Sequence, residues 1–214
     1  MNHYKSIIFD FDGVIVDSNS IKEDIFLKVG VEDFSLKEEK VLSIMNNKSL
    51  NRYEIINYFC KYCESRNVPV IEDILEKVSY RISEAILKSN RCQELSKYKE
   101  KTKNASWFII SAGDKNEILV FLEKYSLTHL FDGGIFGNEL TKDYHIENLL
   151  NSGEIKHPVL SIGDSNSDYL ISQQFSFTFL GVTNWSSCLK LKKKCLNKHI
   201  ESCNLLDAFI LELC

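Results

Sequence analysis

Ile7-Ile8-Phe9, Trp107-Phe108-Ile109-Ile110 and Val159-Leu160-Ser161-Ile162 are short apolar runs rich in β-branched and aromatic side chains, each ending on small or acidic residues. Such runs suit strands buried on both faces of a parallel sheet. A further strand is expected over Phe175 to Leu180, with a loop from Gly181 to Ser187. Phe131-Asp132-Gly133-Gly134-Ile135-Phe136-Gly137 reads as a turn into a brief strand.

Between about residues 20 and 90 the period changes to that of helices. Ile21, Ile25 and Val29, with Phe26 beside them, mark one helix; Leu36, Val41, Leu42 and Met45 suggest a second. Asn51-Arg52-Tyr53-Glu54 has the form of a capping box and opens a third, with Ile55, Ile56, Phe59 and Tyr62 on its apolar face. Val68-Pro69 ends it, and a fourth carries Ile74, Leu75, Val78, Ile82, Ala85, Ile86 and Leu87. This block of four helices is an insertion. Beyond it strand and helix alternate, the rhythm of a parallel sheet. Ile118, Leu119, Phe121 and Leu122 line one helix, and Ile146, Leu149 and Leu150 another. Leu205, Leu206, Phe209, Ile210 and Leu213 predict a terminal amphipathic helix.

The length, 214 residues, suits one large or two modest domains. With 44% apolar and 26% charged residues and a net charge of −4, the composition is that of a soluble protein with no nucleic-acid footprint. The one basic run, Lys190 with Lys192 to Lys194, reads as a solvated face. The chain enters its first strand within a few residues, leaving no room for a signal peptide, and no apolar run approaches the roughly 20 residues of a membrane span. Seven cysteines without an export signal are expected as free thiols in a reducing, cytoplasmic setting. Cys60 and Cys63 form a lone C-x-x-C without the second pair that a structural zinc would want, and are assigned to a helix surface or core.

The chemistry gathers where the apolar runs stop. Asp10 and Asp12, two residues apart in extended chain, share one side. Like charges this close need a cation beside them or a proton on one. A solvated strand end would also account for the pair. Gly13 permits a turn or a close backbone approach. Ser111, with the amides of Ala112 and Gly113, stands at a strand end before a helix, where a phosphoryl oxygen can bind; a helix cap is the plainer use of such a serine. Residues 131–137 lack the lysine and Ser/Thr ending of a phosphate loop. Lys142 opens a helix, and His145 one turn along is expected at the surface or in a cap. Gly163-Asp164-Ser165-Asn166-Ser167-Asp168 repeats the opening logic of apolar strand, glycine, then acid.

The spacing D-x-D-G-V-I-V-D-S from Asp10 resembles the first motif of the haloacid dehalogenase-like superfamily, in its phosphatase and phosphomutase branch. Ser111, Lys142 and Gly163-Asp164-Ser165-x-x-Asp168 stand where the second, third and fourth motifs belong. The resemblance implies Asp10 as nucleophile, forming an aspartyl-phosphate, and Asp12 as general acid/base. It implies Lys142 as the neutralising ammonium, although Asp143 replaces the proline that often follows it. Asp10, Asp164 and the backbone carbonyl of Asp12 would bind Mg²⁺, with Asp168 behind them holding the lysine and metal waters. The implied fold is α/β, a Rossmann-like parallel sheet formed by residues 1–17 and 90–214, with a small helical cap over 18–89. The hinge strands would be Val14 to Ser18 and Ser89 to Gln93.

The function these residues imply is a Mg²⁺-dependent phosphatase acting on a small phosphorylated metabolite. A phosphomutase of the β-phosphoglucomutase type uses the same residues and differs in the acceptor. A non-catalytic binding or regulatory module is the third reading, disfavoured by four charged groups kept together. Gly13, Ala112 and Gly113 are candidates for contact with substrate. Arg52 either clasps a second anionic group or lies exposed beside a glutamate. Its Arg-Tyr-Glu run is similar to one in some superfamily members associated with surface-sugar biosynthesis, which points toward sugar phosphates. No nucleic acid or membrane partner is expected, and the oligomeric state is left open.

Overall fold

The computed structural model describes residues 4–46, 51–63, 69–186, 188, 191–195 and 199–200. Two compact units are present, Met1–Asn19 with Ser89–Cys214, and Ser20–Lys88. Among the described residues the larger contains a six-stranded parallel sheet in the order β3-β2-β1-β4-β5-β6. Its strands are β1 (Ser6–Phe9), β2 (Ser106–Ile110), β3 (Gly134–Phe136), β4 (Val159–Gly163), β5 (Thr178–Val182) and β6 (His199–Ile200). Strand β1 lies between β2 and β4, with Ile7 opposite both Trp107 and Leu160. Later strands are added on either side of it, so the order reverses at β1. Ligands of open α/β sheets bind outside the carboxyl ends of strands at such a reversal.

The smaller unit carries helices α1 (Asn19–Glu32), α2 (Glu38–Met45), α3 (Arg52–Tyr62) and α4 (Ile71–Ile86), the first residue of α1 belonging to the sheet unit. Asn51 caps α3 through a complete capping box with Glu54. Val41, Ile56, Phe59, Val78 and Ile82 are fully buried. A side chain at Gly30 of α1 would press within 2.6 Å of Val41, so the glycine lets α1 and α2 pack closely. Lys77 pairs with Asp33 across α4 and the end of α1. Asn47, Lys48, Ser49 and Val68 lie outside the described residues, as does the predicted terminal helix over Leu205 to Leu213.

Helices α5 (Leu95–Lys101), α6 (Lys115–Lys124), α7 (Lys142–Asn151), α8 (Asn166–Gln174) and the single turn α9 (Leu191–Lys194) complete the larger unit. One side of the sheet packs Ile8, Phe108 and Ile110 against Ile146 and Leu149 of α7. Phe9, Trp107 and Phe131 form an aromatic cluster, with the Phe9 and Trp107 ring centroids 4.7 Å apart. Residues 15–17 and 90–92 run side by side: Asp17 N–H donates to the Asn90 carbonyl and Cys92 N–H to that of Ile15. Val16 and Arg91 form an antiparallel bridge there. The described cysteines Cys60, Cys63, Cys92, Cys188 and Cys195 are free. Among the described residues no helix is long and apolar enough to cross a membrane.

The last long strand departs from expectation. Phe175 caps the end of α8 and Ser176 takes a left-handed φ of 57°, so the aromatic run Phe175 to Phe177 is a turn, and β5 begins at Thr178. Gly181, expected to start a loop, is paired within the sheet to Gly163 and His199. A side chain there would come within 2.5 Å of the Cys195 sulfur, so the glycine is a packing requirement of the strand. Helix α5 and β6 were not foreseen: α5 buries only Leu95 and Tyr98, and β6 has two residues.

Trp107 is completely buried and donates its indole N–H to Thr102 Oγ1 at 2.9 Å. Trp107→Ala is expected to cost about 3–5 kcal/mol of unfolding free energy in urea denaturation, through the cavity left against Phe9 and Phe131.

Candidate active site

Three strand ends supply the site. Strand β1 delivers Asp10, whose N–H donates to the Ile162 carbonyl at 2.9 Å, so the ladder with β4 continues one residue beyond the strand. Side chains alternate along a strand, and Asp10 therefore follows Ile8 onto the side covered by α7. Lys142 is the first residue of that helix. Its ammonium lies 2.9 Å from Asp10 Oδ1 and 2.7 Å from Asp168 Oδ1.

Asp168 is the third residue of α8, where it forms a capping box with Ser165. Its Oδ2 accepts from the Ser165 N–H at 3.1 Å and from the Ser165 hydroxyl, while Oδ1 accepts from Lys142. A side chain at Gly163 would strike the Asp168 Cβ at 2.4 Å, which explains the glycine before Asp164. Oxygens of Asp10, Asp164 and Asp168, all buried, lie within 4.8 Å of one another. Asp12 accepts a hydrogen bond from the buried hydroxyl of Ser18.

Burial pushes the Asp10 carboxyl up from its ordinary 3.8 to about 6; Lys142 opposes the rise, and the charges of Asp168 and Asp12 add to it. Burial likewise raises Asp164 well above the usual carboxylate range, helped by Asp10 and Asp168 and opposed by Lys142 and the Asn19 hydrogen bond. Burial alone would lower Lys142, but the two carboxylates beside it outweigh that and raise it. Among the described residues one ammonium, that of Lys142, faces several carboxylates in a poorly solvated place, so the cluster is short of positive charge.

That shortage, with oxygen donors throughout, fits a hard divalent cation. Both oxygens of Asp168 are committed to Lys142 and Ser165, which leaves Asp10 and Asp164 as the better donors. On Asp10, Oδ1 accepts from the Phe11 N–H at 2.8 Å and faces Lys142, while Oδ2 has no hydrogen-bond partner among the described residues.

Gly13 adopts φ +73°, and a Cβ there would fall 2.2 Å from Asp164 Oδ2. Only glycine meets both demands. Ser111 is buried at the end of β2, and its oxygen accepts from the Gly113 N–H at 3.0 Å. The hydroxyl proton therefore remains for another acceptor, whereas the Gly113 amide is already engaged. Asp114 caps α6, accepting from Asn116 and Glu117. Arg52 lies in the smaller unit, where Nη1 donates to Ser79 Oγ at 2.8 Å. His145 is buried, contrary to expectation, with Nε2 3.1 Å from the Gly137 carbonyl. The imidazole also packs on the Phe136 ring, with centroids 5.2 Å apart.

Sequence reasoning passed over three contributors. Ser18 holds Asp12. Asn19 donates to Asp164 Oδ2 at 2.7 Å and to the Trp185 carbonyl at 2.8 Å. Ser186 donates its hydroxyl to the Asp164 carbonyl. A serine and an asparagine before an apolar period read as helix-cap residues, and only the folded chain brings Asn19 to Asp164.

A family profile described as haloacid dehalogenase-like hydrolase matches residues 7–182. The fold is similar to CbbY from Rhodobacter sphaeroides, solved with phosphate: 12% identity, 95% of this chain and 96% of that one covered, TM-score 0.70. A variant of CbbY has been solved with xylulose 1,5-bisphosphate. A candidate β-phosphoglucomutase from Thermotoga maritima is 17% identical over 98% of this chain and 100% of that one, TM-score 0.72. A predicted phosphoglycolate phosphatase from Haemophilus somnus 129pt is 14% identical over 98% and 99%, TM-score 0.71. At these identities the likeness is one of fold. No curated protein matches the sequence.

In metal-free protein the folded state binds the Asp10 proton more tightly than the unfolded state does. Stability from this group is therefore greatest below about pH 4 and declines as pH rises through about 6. Asp10→Asn is expected to raise the thermal midpoint in a chelator at about pH 8, by an amount equivalent to about 1–3 kcal/mol, with the gain vanishing near pH 4. A variant less stable than the parent at about pH 8 would show that the Lys142 pairing outweighs the crowding of carboxylates.

Proposed function

The chain belongs to the haloacid dehalogenase-like hydrolase family, and on that premise we propose that it is a Mg²⁺-dependent phosphatase acting on a small phosphorylated metabolite. The observation that carries this reading is the buried Lys142 ammonium between Asp10 and Asp168, with Asp164 alongside. Phosphoryl transfer is mostly positioning and charge neutralisation, and this cluster supplies both.

In this reading the Asp10 carboxylate attacks phosphorus, and the bond to the leaving oxygen breaks. Asp12, oriented by Ser18, gives that oxygen its proton. Asp12 then takes a proton from water as the water attacks the aspartyl-phosphate, releasing inorganic phosphate and restoring Asp10. The Ser111 hydroxyl and the Ala112 amide donate to the transferring group, and Lys142 offsets its charge. The Gly113 amide joins them only by leaving Ser111 Oγ; otherwise its part is to orient that hydroxyl. Gly13 lets the backbone stand close to Asp164. Mg²⁺, held by Asp10, Asp164 and the Asp12 carbonyl, would add electrostatic stabilisation of the phosphoryl oxygens.

We assign the segment Ser20–Lys88 as the cap and place substrate choice there. Arg52, already oriented by Ser79, is the candidate for a second anionic group. The phosphorylated sugar in the CbbY variant supports a sugar phosphate as substrate class. Free thiols at the described cysteines fit a cytoplasmic setting.

Phosphate release from a panel of sugar phosphates, phosphoglycolate and an aryl phosphate is the test. Release is expected to require Mg²⁺ and to fall by at least about a thousandfold in Asp10→Asn, which removes the nucleophile. Release unaffected by either change overturns the mechanism. Phosphoryl transfer to a second sugar with little release would identify the mutase. Arg52→Ala is expected to reorder preference within the panel, and an unchanged ranking would remove Arg52 from the binding site.

A further inference from the structure

We infer that Asn19 tunes the metal preference of the site by holding Asp164 to a single free carboxylate oxygen, favouring Mg²⁺ over Ca²⁺. The inference rests on the divalent-metal reading above and concerns a residue that reading does not use. The Asn19 Nδ2 group donates to Asp164 Oδ2 at 2.7 Å and to the Trp185 carbonyl at 2.8 Å. Both partners are acceptors, so the amide has one sensible orientation, with its NH₂ toward the acid. The fit is tight, since a Cβ at Gly13 would lie 2.2 Å from Asp164 Oδ2 and 2.5 Å from Asn19 Nδ2.

The main chain of Asp164 is fixed as well. Ser186 donates its hydroxyl to the Asp164 carbonyl, and the Cys188 N–H donates to Ser186 Oγ at 2.9 Å. The loop after β5 therefore grips Asp164 twice, directly through Ser186 and through the Trp185–Asn19 relay. Rotation of the carboxylate about its last bond would cost the Asn19 hydrogen bond. Among the described residues Oδ1 of Asp164 accepts no hydrogen bond, so it is the oxygen left for a cation.

Coordination chemistry turns this restraint into selectivity. Mg²⁺ demands a near-ideal octahedron at short distances and takes one oxygen from each carboxylate, whereas Ca²⁺ accepts larger, irregular shells that include both oxygens of one carboxylate. A donor fixed on Oδ2 presents positive hydrogen where a second metal–oxygen contact would form. The hydrogen bond thus opposes the Ca²⁺ mode and orients the Mg²⁺ mode, and such outer partners typically change metal affinity by about 10–100-fold.

The test is calorimetric titration of the metal-free protein with Mg²⁺ alone and Ca²⁺ alone, for the parent, Asn19→Ala and Asn19→Ser. Serine suits a helix start but is too short to span both acceptors, so it serves if the alanine variant folds poorly by circular dichroism. The expected result is an Mg²⁺ affinity lowered about tenfold or more, with Ca²⁺ affinity retained or increased. The ratio of the two dissociation constants then moves toward Ca²⁺ by a similar factor. Equal losses for both ions, or a ratio within about twofold of the parent's, would overturn the role of Asn19. A parent that binds neither ion would instead overturn the metal reading itself.

Discussion

An ammonium ion buried between two carboxylates organises the carboxyl end of the sheet in this protein. Lys142 cannot take that position unless α7 starts above the end of β1, and α7 is set there by packing Ile146 and Leu149 on Ile8 and Phe108. The same alternation that buries Ile8 turns Asp10 toward the lysine. Core packing and site chemistry are therefore one constraint, written in adjacent residues of one strand. Because burial strengthens every interaction among charges, the pairing is strong and the carboxylates left over are expensive. The excess of acid is what makes the site hospitable to a cation.

Much of this was legible in the chain. The apolar runs that stop on Asp10, Ser111 and Asp164 become central strands, and their ends converge because a parallel sheet places them side by side. The capping box at Asn51 is formed as read. Less legible were features governed by contacts distant in sequence. Phe175 and Phe177 have the residue types of a strand, but Ser176 turns the chain between them, and β5 starts later. Gly181 looks like a loop residue until the Cys195 sulfur beside it is known. His145 sits in a polar stretch, and it is buried beside the Phe136 ring and the Gly137 carbonyl at the end of β3.

The residues that steady the acids were the hardest to foresee. Ser18 and Asn19 are ordinary helix-start types, and nothing local distinguishes a serine that caps a helix from one that orients a carboxylate. Gly13 was readable as a backbone necessity, but the reason, a carboxylate oxygen and an amide occupying the space of its missing Cβ, needed the fold. Residues whose own backbone demands are unusual are visible in a sequence. Those whose partners are remote are not.

The pairing of Ile15 and Asp17 with Cys92 and Asn90 means that the chain leaves the sheet unit and returns to it at neighbouring points. To the sheet, everything from Ser20 to Lys88 is topologically a hairpin loop. The entropy of closing a loop grows only logarithmically with its length. Lineages of this chain can therefore lengthen, trim or exchange that segment with little penalty to the strands that carry the acids.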